Sequence, residues 1–368
     1  MQRVLLLISI LILVGCTPAA TPTPAGASPT ARPTATATVP ASTATPVRTT
    51  ADLMYPYTIE GLREHKYQSG KIKKVALITK TKVYTSYLVS YPSDGLKISA
   101  VMQIPVEGKP PFPVIIMDHG FFNRTEFHSG DGTDRAAEYF NQHGYITLAS
   151  DYRSWGGSQA GPSLYYSGLV IDVINLLSAV PSVPEADPKR IGIWGHSMGG
   201  AVTMKVLAVD SRPLAGVLYS TVSADDADVL QRWGLGCIGD IAAGENQLDC
   251  NSSDVVPLDL PPDVIKAYYD ASKDAAVLRE TSPIFHLELV TAPVEINYGT
   301  NDGKTSAGTP PEWSKKLYDA FIKAGKASSV HLYAYEGQYH SFNGDAWLAF
   351  MERSARFFDK YVKSAKLP

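Results

Sequence analysis

The stretch Arg190-Ile-Gly-Ile-Trp-Gly-His-Ser-Met-Gly-Gly-Ala-Val-Thr203 decides the fold. The apolar run Ile191, Ile193 and Trp194 leads into Gly195-His196-Ser197-Met198-Gly199, and the helix-forming run Ala201 to Ala208 follows at once. This order reads as strand, sharp turn, helix. A serine on such a turn has strained backbone angles, so the residues two before and two after it must be small. Gly195 and Gly199 fill those places. The strain lifts the hydroxyl clear of the sheet, and the N–H of Met198, at the helix start, points to where an oxyanion would develop. A glycine-rich turn without chemistry can carry the same pentapeptide. What separates the two is whether an acid and a histidine follow in the right order.

Upstream, Phe112 to Met117 is a continuous apolar run, the mark of a strand buried on both faces, and it breaks at Asp118-His119-Gly120-Phe121-Phe122. Before it, alternation in Val75 to Val89 and in Leu96 to Ile104, around Pro92-Ser93-Asp94-Gly95, predicts an antiparallel pair with a turn. Lys71, Lys73, Lys74, Lys80 and Lys82 suit a solvated edge strand there. Helices are expected over Arg135 to His143 and Tyr165 to Val180, with a strand Tyr145 to Ala149 between them. After the serine come a strand Leu214 to Ser220, an irregular span Ser223 to Thr281 that reads as an inserted lid, and a strand Pro293 to Tyr298. A helix Glu312 to Ala324, a strand Ser329 to Tyr335 and a helix Ala346 to Lys363 complete the chain. The alternation predicts an α/β class with a doubly wound, mostly parallel sheet.

A serine is a weak nucleophile until a base takes its proton, and the base needs a third group to fix its tautomer. Ser197, Asp302 and His340 occur in that order, each directly after an expected core strand, so a parallel sheet gathers them at its carboxyl edge. Of the eight histidines, His340 alone has a loop position at the sheet's end after the acid. His196 neighbours the serine and cannot turn back onto it, and His119 suits a brace for the loop after Met117. Asp225 and Asp226, following the strand after the serine's helix, compete with Asp302 for the acid. Asp118 and Asp151 suit structural roles. The second oxyanion donor is expected from the N–H of Phe121, with Phe122 its near rival.

Asp151-Tyr152-Arg153, Asp187-Pro188-Lys189-Arg190-Ile191, Gly195 to Gly200, Ser282-Pro283-Ile284, Gly299-Thr300-Asn301-Asp302 and Tyr339-His340-Ser341-Phe342 carry a resemblance. Over residues 71–368 the chain resembles the α/β-hydrolases, and these stretches are similar to the dienelactone-hydrolase-like and prolyl-oligopeptidase-like branch. The resemblance implies a serine hydrolase cleaving carboxylic esters through an acyl-enzyme, with no metal or organic cofactor. Serine stands where dienelactone hydrolase uses cysteine, and no β-propeller precedes the domain. A peptidase on the same machinery would need a charged anchor in the lid, for which Asp225, Asp226 and Asp228 are available. A noncatalytic binding protein on the same scaffold is the other alternative. Trp155, Tyr165, Tyr166, Trp233, Tyr268 and Tyr269, with Phe121 and Phe122, are expected to line an apolar pocket suited to short or medium acyl and aryl esters.

The chain has 368 residues, 45% hydrophobic, with a net charge of −3 that offers nucleic acid no footing. Residues 1–16 carry Arg3, an apolar run from Val4 to Val14, and Leu13-Val14-Gly15-Cys16. They read as an export signal whose end resembles that of bacterial lipoproteins, with Cys16 the lipidated residue. Residues 17–50, almost wholly Thr, Pro, Ala and Ser, read as an extended tether, and 51–368 as the hydrolase domain. The expectation is a lipid-anchored, extracytoplasmic protein acting on a small-molecule ester, its oligomeric state open. Of the three cysteines, Cys237 and Cys250 then remain for a disulfide.

Overall fold

The computed structural model describes residues 48–234, 252–257 and 259–366. Within them the strands are β1 (Lys73–Lys80), β2 (Tyr84–Ser93), β3 (Leu96–Pro105), β4 (Phe112–Asp118), β5 (Ile146–Ser150), β6 (Ala186–His196), β7 (Gly216–Tyr219), β8 (Val294–Gly299) and β9 (Val330–Tyr335). They form one sheet in the order β1-β2-β3-β5-β4-β6-β7-β8-β9. Pairing is antiparallel from β1 to β3 and between β3 and β5, and parallel across the rest.

Strand β4 is buried along its whole length, and its period of two sorts its side chains into two cores. Val114 and Ile116 join Leu169 and Val173 of α4 (Ser167–Ala179), Val202 of α5 (Met198–Val209) and Leu317 of α9 (Pro311–Lys323). Ile115 and Met117 join Phe140 of α3 (Asp134–Gln142) and Phe350, Met351 and Phe358 of α10 (Gly344–Phe358) on the other face. Each such side chain contributes about 1.5–3 kcal/mol on burial. The sheet is therefore doubly wound, and the loops leaving the carboxyl ends of its parallel strands meet at one edge.

Four local details differ from the sequence reading. The span Val75 to Val89 divides into β1 and β2 around Thr81, whose hydroxyl accepts from the N–H groups of Val83 and Tyr84. Helix α4 begins at Ser167 rather than Tyr165, because Tyr165 and Tyr166 are both left-handed, at φ 51° and 62°. The last helix ends at Phe358 and widens into a π-helical turn, Asp359–Lys363. Two short helices open the domain, α1 (Thr50–Met54) and α2 (Ile59–Glu64), N-capped by Thr49 and Thr58. Strand β1 is exposed throughout, as its lysines lead one to expect of an edge.

The inserted span contains α6 (Asp226–Trp233), α7 (Pro262–Ala271) and α8 (Ala275–Thr281). With α1 these helices share a third apolar cluster, built on Leu53, Met54, Val264, Ala267, Ala271, Val277 and Leu278. A bridge between Ser163 and Val255 stitches the span to the loop before α4. Cys16, Cys237 and Cys250, the export signal and the tether up to residue 47 lie outside the described residues. No helix among the described residues is long and apolar enough to cross a membrane.

Candidate active site

Ser197 stands between β6 and α5 at φ 56°, ψ −121°, a conformation an L-residue holds at a cost of about 1–3 kcal/mol. It is pinned from both sides: its N–H donates to Tyr219 O at 3.0 Å, and its carbonyl accepts from Val222 and Gly200 N–H at 3.0 Å each. The flanking glycines are required by contact. A Cβ on Gly195 would lie 2.2 Å from Gly199 O, and one on Gly199 would lie 2.0 Å from Asp118 O. Gly120 brings the loop after β4 against the serine, since a Cβ there would sit 3.2 Å from Ser197 Cβ.

Met198 is the first residue of α5, so no preceding helical turn accepts its N–H. The Phe121 N–H donates to no acceptor among the described residues. Next to it, the Phe122 carbonyl accepts from Trp155 Nε1–H at 3.0 Å, which fixes the loop. His119 braces it from beneath, between Phe127 and Tyr152 with ring centroids 4.5 and 4.3 Å away. Its Nδ1 lies 2.7 Å from Gly120 O and its Nε2 3.3 Å from Asp151 O, and burial lowers its pKa to about 4.

His340 and Asp302 meet at the same edge. His340 Nδ1 lies 3.1 Å from both carboxylate oxygens of Asp302, whose side chain is fully buried. Asp302 Oδ1 also accepts from Gly303 N–H at 2.8 Å and Thr309 N–H at 2.9 Å, and Oδ2 has Thr309 Oγ1 at 2.7 Å. Burial alone would raise this carboxyl's pKa, but the bonds from His340, Thr309 and Gly303 outweigh it and hold the group below its ordinary value.

Two bracing groups were not foreseen from the sequence. His196 Nε2 lies 3.0 Å from the His340 carbonyl, so the histidine set aside as a mere neighbour of the serine holds the loop that carries His340. Burial, then repulsion from His340, lowers the His196 pKa to about 3, so the ring is neutral and its Nε2–H donates. Tyr219 stacks on His196 at 4.3 Å, and its hydroxyl accepts from Phe342 N–H. Thr309 is the other, and no residue pattern around it marks it as an anchor.

The competing acids are engaged elsewhere. Asp225 caps α6 through Ala227 N–H at 3.0 Å and pairs with Lys316 at 2.8 Å, which also pairs with Asp228 at 2.8 Å. Asp226 accepts from Thr281 Oγ1 at 2.6 Å and lies 3.6 Å from Lys205. Asp118 and Asp151 are buried under the loop, held by Thr203 and by Ser99 and Ser129. Burial lifts them to about 7 and about 6.

The expected aromatic pocket is only partly realised. Trp155 is fully buried, and Lys273 covers the Tyr269 ring at 3.7 Å. Tyr165, Tyr166, Trp233 and Tyr268 do line one cavity of about 90 Å³, but with Asp226 and Asp254 in its wall, so it is not apolar.

Comparison with known proteins agrees with this architecture. The family described as serine aminopeptidase, S33, matches residues 109–242. The quorum-quenching protein AidA of Acinetobacter baumannii is 32% identical over 137 residues, 35% of this chain and 41% of that protein. The lysophosphatidylserine lipase ABHD12 of Xenopus tropicalis is 29% identical over 96 residues, 26% of this chain and 23% of that protein. The chain thus spans less than half the length of these curated relatives. Among solved structures, acetyl xylan esterase 1 of Thermoanaerobacterium sp. JW/SL YS485 superposes at TM-score 0.57 and 17% identity, covering 84% of this chain and 93% of that one. Pyrococcus horikoshii acylaminoacyl peptidase does so at TM-score 0.58 and 19% identity, covering 78% and 43%. The fold is that of the α/β-hydrolases.

Proposed function

We propose that the protein is a serine hydrolase that cleaves carboxylic esters through an acyl-enzyme. Ser197 attacks the ester carbonyl, and His340 takes its proton and returns it to the leaving alcohol. Asp302 holds His340 with Nδ1 protonated and stabilises the imidazolium, and the N–H groups of Met198 and Phe121 receive the oxyanion. Water, activated by the same histidine, then releases the acid. The observation that carries this reading is the strained Ser197 after β6, at the sheet edge where His340 is paired to Asp302 at 3.1 Å. The chain's own residues supply every group this mechanism uses.

A peptidase would use the same groups, and the S33 match favours it. Against it, Asp225 and Asp228, two of the three expected anchors for a peptide amine, are both engaged by the Lys316 ammonium. At residues 1–50 the proposal is lipidation of Cys16 and a tether that carries the domain outside the cytoplasm at a membrane surface. The deciding experiment asks whether a fluorophosphonate labels the protein and, on separate unlabelled enzyme, sets p-nitrophenyl butyrate against butyryl p-nitroanilide. Labelling with ester turnover at least about a hundredfold faster supports the esterase, since the ratio of the two kcat/KM values measures which acyl bond the site cleaves. Comparable anilide cleavage would assign the peptidase, and absence of labelling a noncatalytic protein.

A further inference from the structure

The cavity under the inserted helices contains polar atoms that no described residue uses. Tyr165 is 4% exposed and lines this cavity, yet its hydroxyl has no hydrogen-bond partner among the described residues. Asp226, also 4% exposed, spends Oδ2 on Thr281 and Lys205, while no donor among the described residues reaches its Oδ1. Asp254 differs, because it accepts from Tyr165 N–H at 2.9 Å, Tyr166 N–H at 3.1 Å and the Tyr268 hydroxyl. Of the nearby cations, Lys205 Nζ donates to Tyr165 O at 2.6 Å, and Arg124 donates to the carbonyls of Ser252 and Asp254. Tyr165 and Tyr166 sit at φ 51° and 62°, a strained conformation for tyrosine that sets both rings at the cavity.

Two open acceptors, one of them a carboxylate oxygen, behind aromatic walls are suited to a cation that carries its own donors. We propose that this cavity binds the protonated primary amine of a small organic molecule, with Asp226 Oδ1 and Tyr165 Oη as acceptors and Tyr166, Trp233 and Tyr268 as walls. A metal ion would need more oxygen ligands than these two. A neutral alcohol brings one O–H where the site offers two acceptors, and no charge to set against the carboxylate. The site adjoins the reaction centre through the loop that runs from Val222, bonded to the Ser197 carbonyl, to Asp226. The proposal does not depend on the esterase reading.

The test uses the full chain carrying Ser197→Ala, so that hydrolysis plays no part. Binding of n-butylammonium chloride is measured by ligand-observed NMR titration, with n-butanol as the neutral isostere. Saturable binding of the ammonium, at least about tenfold tighter than the alcohol and weakened about tenfold by Tyr165→Phe, supports the site. Tyr165→Phe deletes a hydroxyl without a partner among the described residues, so its Tm should hold or rise. A purely structural role for that hydroxyl predicts a fall. Asp226→Asn should weaken ammonium binding and leave the alcohol unchanged; should that variant fail to fold, Tyr165→Phe decides alone. Equal affinity for ammonium and alcohol, undiminished binding in Tyr165→Phe, or no ammonium binding at all overturns the proposal.

Discussion

The corner that holds Ser197, Asp302 and His340 and the cavity beneath α6 and α7 both bury aspartates, and they differ in how fully those aspartates are partnered. At the corner, each oxygen of Asp302 meets His340 and at least one further donor, so the carboxylate stays ionised and cannot turn. In the cavity, Asp226 keeps one oxygen and Tyr165 its hydroxyl without a donor or acceptor among the described residues. A closed network fixes one geometry, which suits a group that must aim a base at a nucleophile. Open valences in a buried place cost stability until a ligand meets them. The proposed roles, chemistry for the first region and binding for the second, follow this difference, and substitutions should separate the two.

The largest effect is expected at the serine. Ser197→Ala should abolish fluorophosphonate labelling and lower turnover by about three to six orders of magnitude, with an unchanged circular dichroism spectrum. Undiminished labelling of that variant would remove Ser197 from its role. Asp302→Asn should follow, with a loss in kcat of about a thousandfold or more, because an amide donor opposite Nδ1 favours the wrong tautomer. Asp225→Asn, which keeps an N-cap acceptor for Ala227 N–H and weakens only the ion pair with Lys316, should stay within about threefold of wild type. The reverse ranking would move the acid to the loop after β7.

Thr309 refines the same network at smaller cost. Its hydroxyl lies 2.7 Å from Asp302 Oδ2 and 2.9 Å from Ser220 O, tying the acid loop to the end of β7. Thr309→Val should lower kcat about tenfold with KM little changed, and Thr309→Ser should restore it. If Thr309→Val instead raised KM at constant kcat, the residue would be acting on substrate rather than on the acid.

The sequence made the sheet and the serine turn legible because both rest on local rules. Buried strands read as apolar runs, and a strained serine demands glycines whose absent Cβ atoms the structure shows to be forbidden by contact. The order of Ser197, Asp302 and His340 carried the rest, since parallel strands bring their carboxyl ends together. What escaped was long-range. His196 lies 3.0 Å from a carbonyl far along the chain, and Thr309 reaches an acid across a loop, and neither has a spacing that announces it. The cavity escaped differently: its tyrosines were identified, but their company of carboxylates depends on how the inserted helices return over α4.

The smallest expected effect concerns the floor of the oxyanion loop, and it tests whether that region is closed like the corner or open like the cavity. Asp118 accepts from Thr203 Oγ1 at 2.7 Å, while its Oδ1 has no partner among the described residues, and burial lifts its pKa to about 7. In the unfolded chain a carboxyl titrates near about 4. Between those values the folded state holds the proton more tightly than the unfolded one. The contribution to stability is therefore complete below pH about 4 and is lost as pH rises toward 7. Asp118→Asn keeps an acceptor for Thr203 and carries no charge, so it removes this dependence. His119, His196 and Asp151 also titrate with shifts, but they are common to both proteins and cancel in the difference. The Tm of wild type minus that of Asp118→Asn should fall between about pH 4 and 7 and level off above. Parallel curves across that range would mean that Asp118 is ionised in the fold and that its second oxygen has a partner after all.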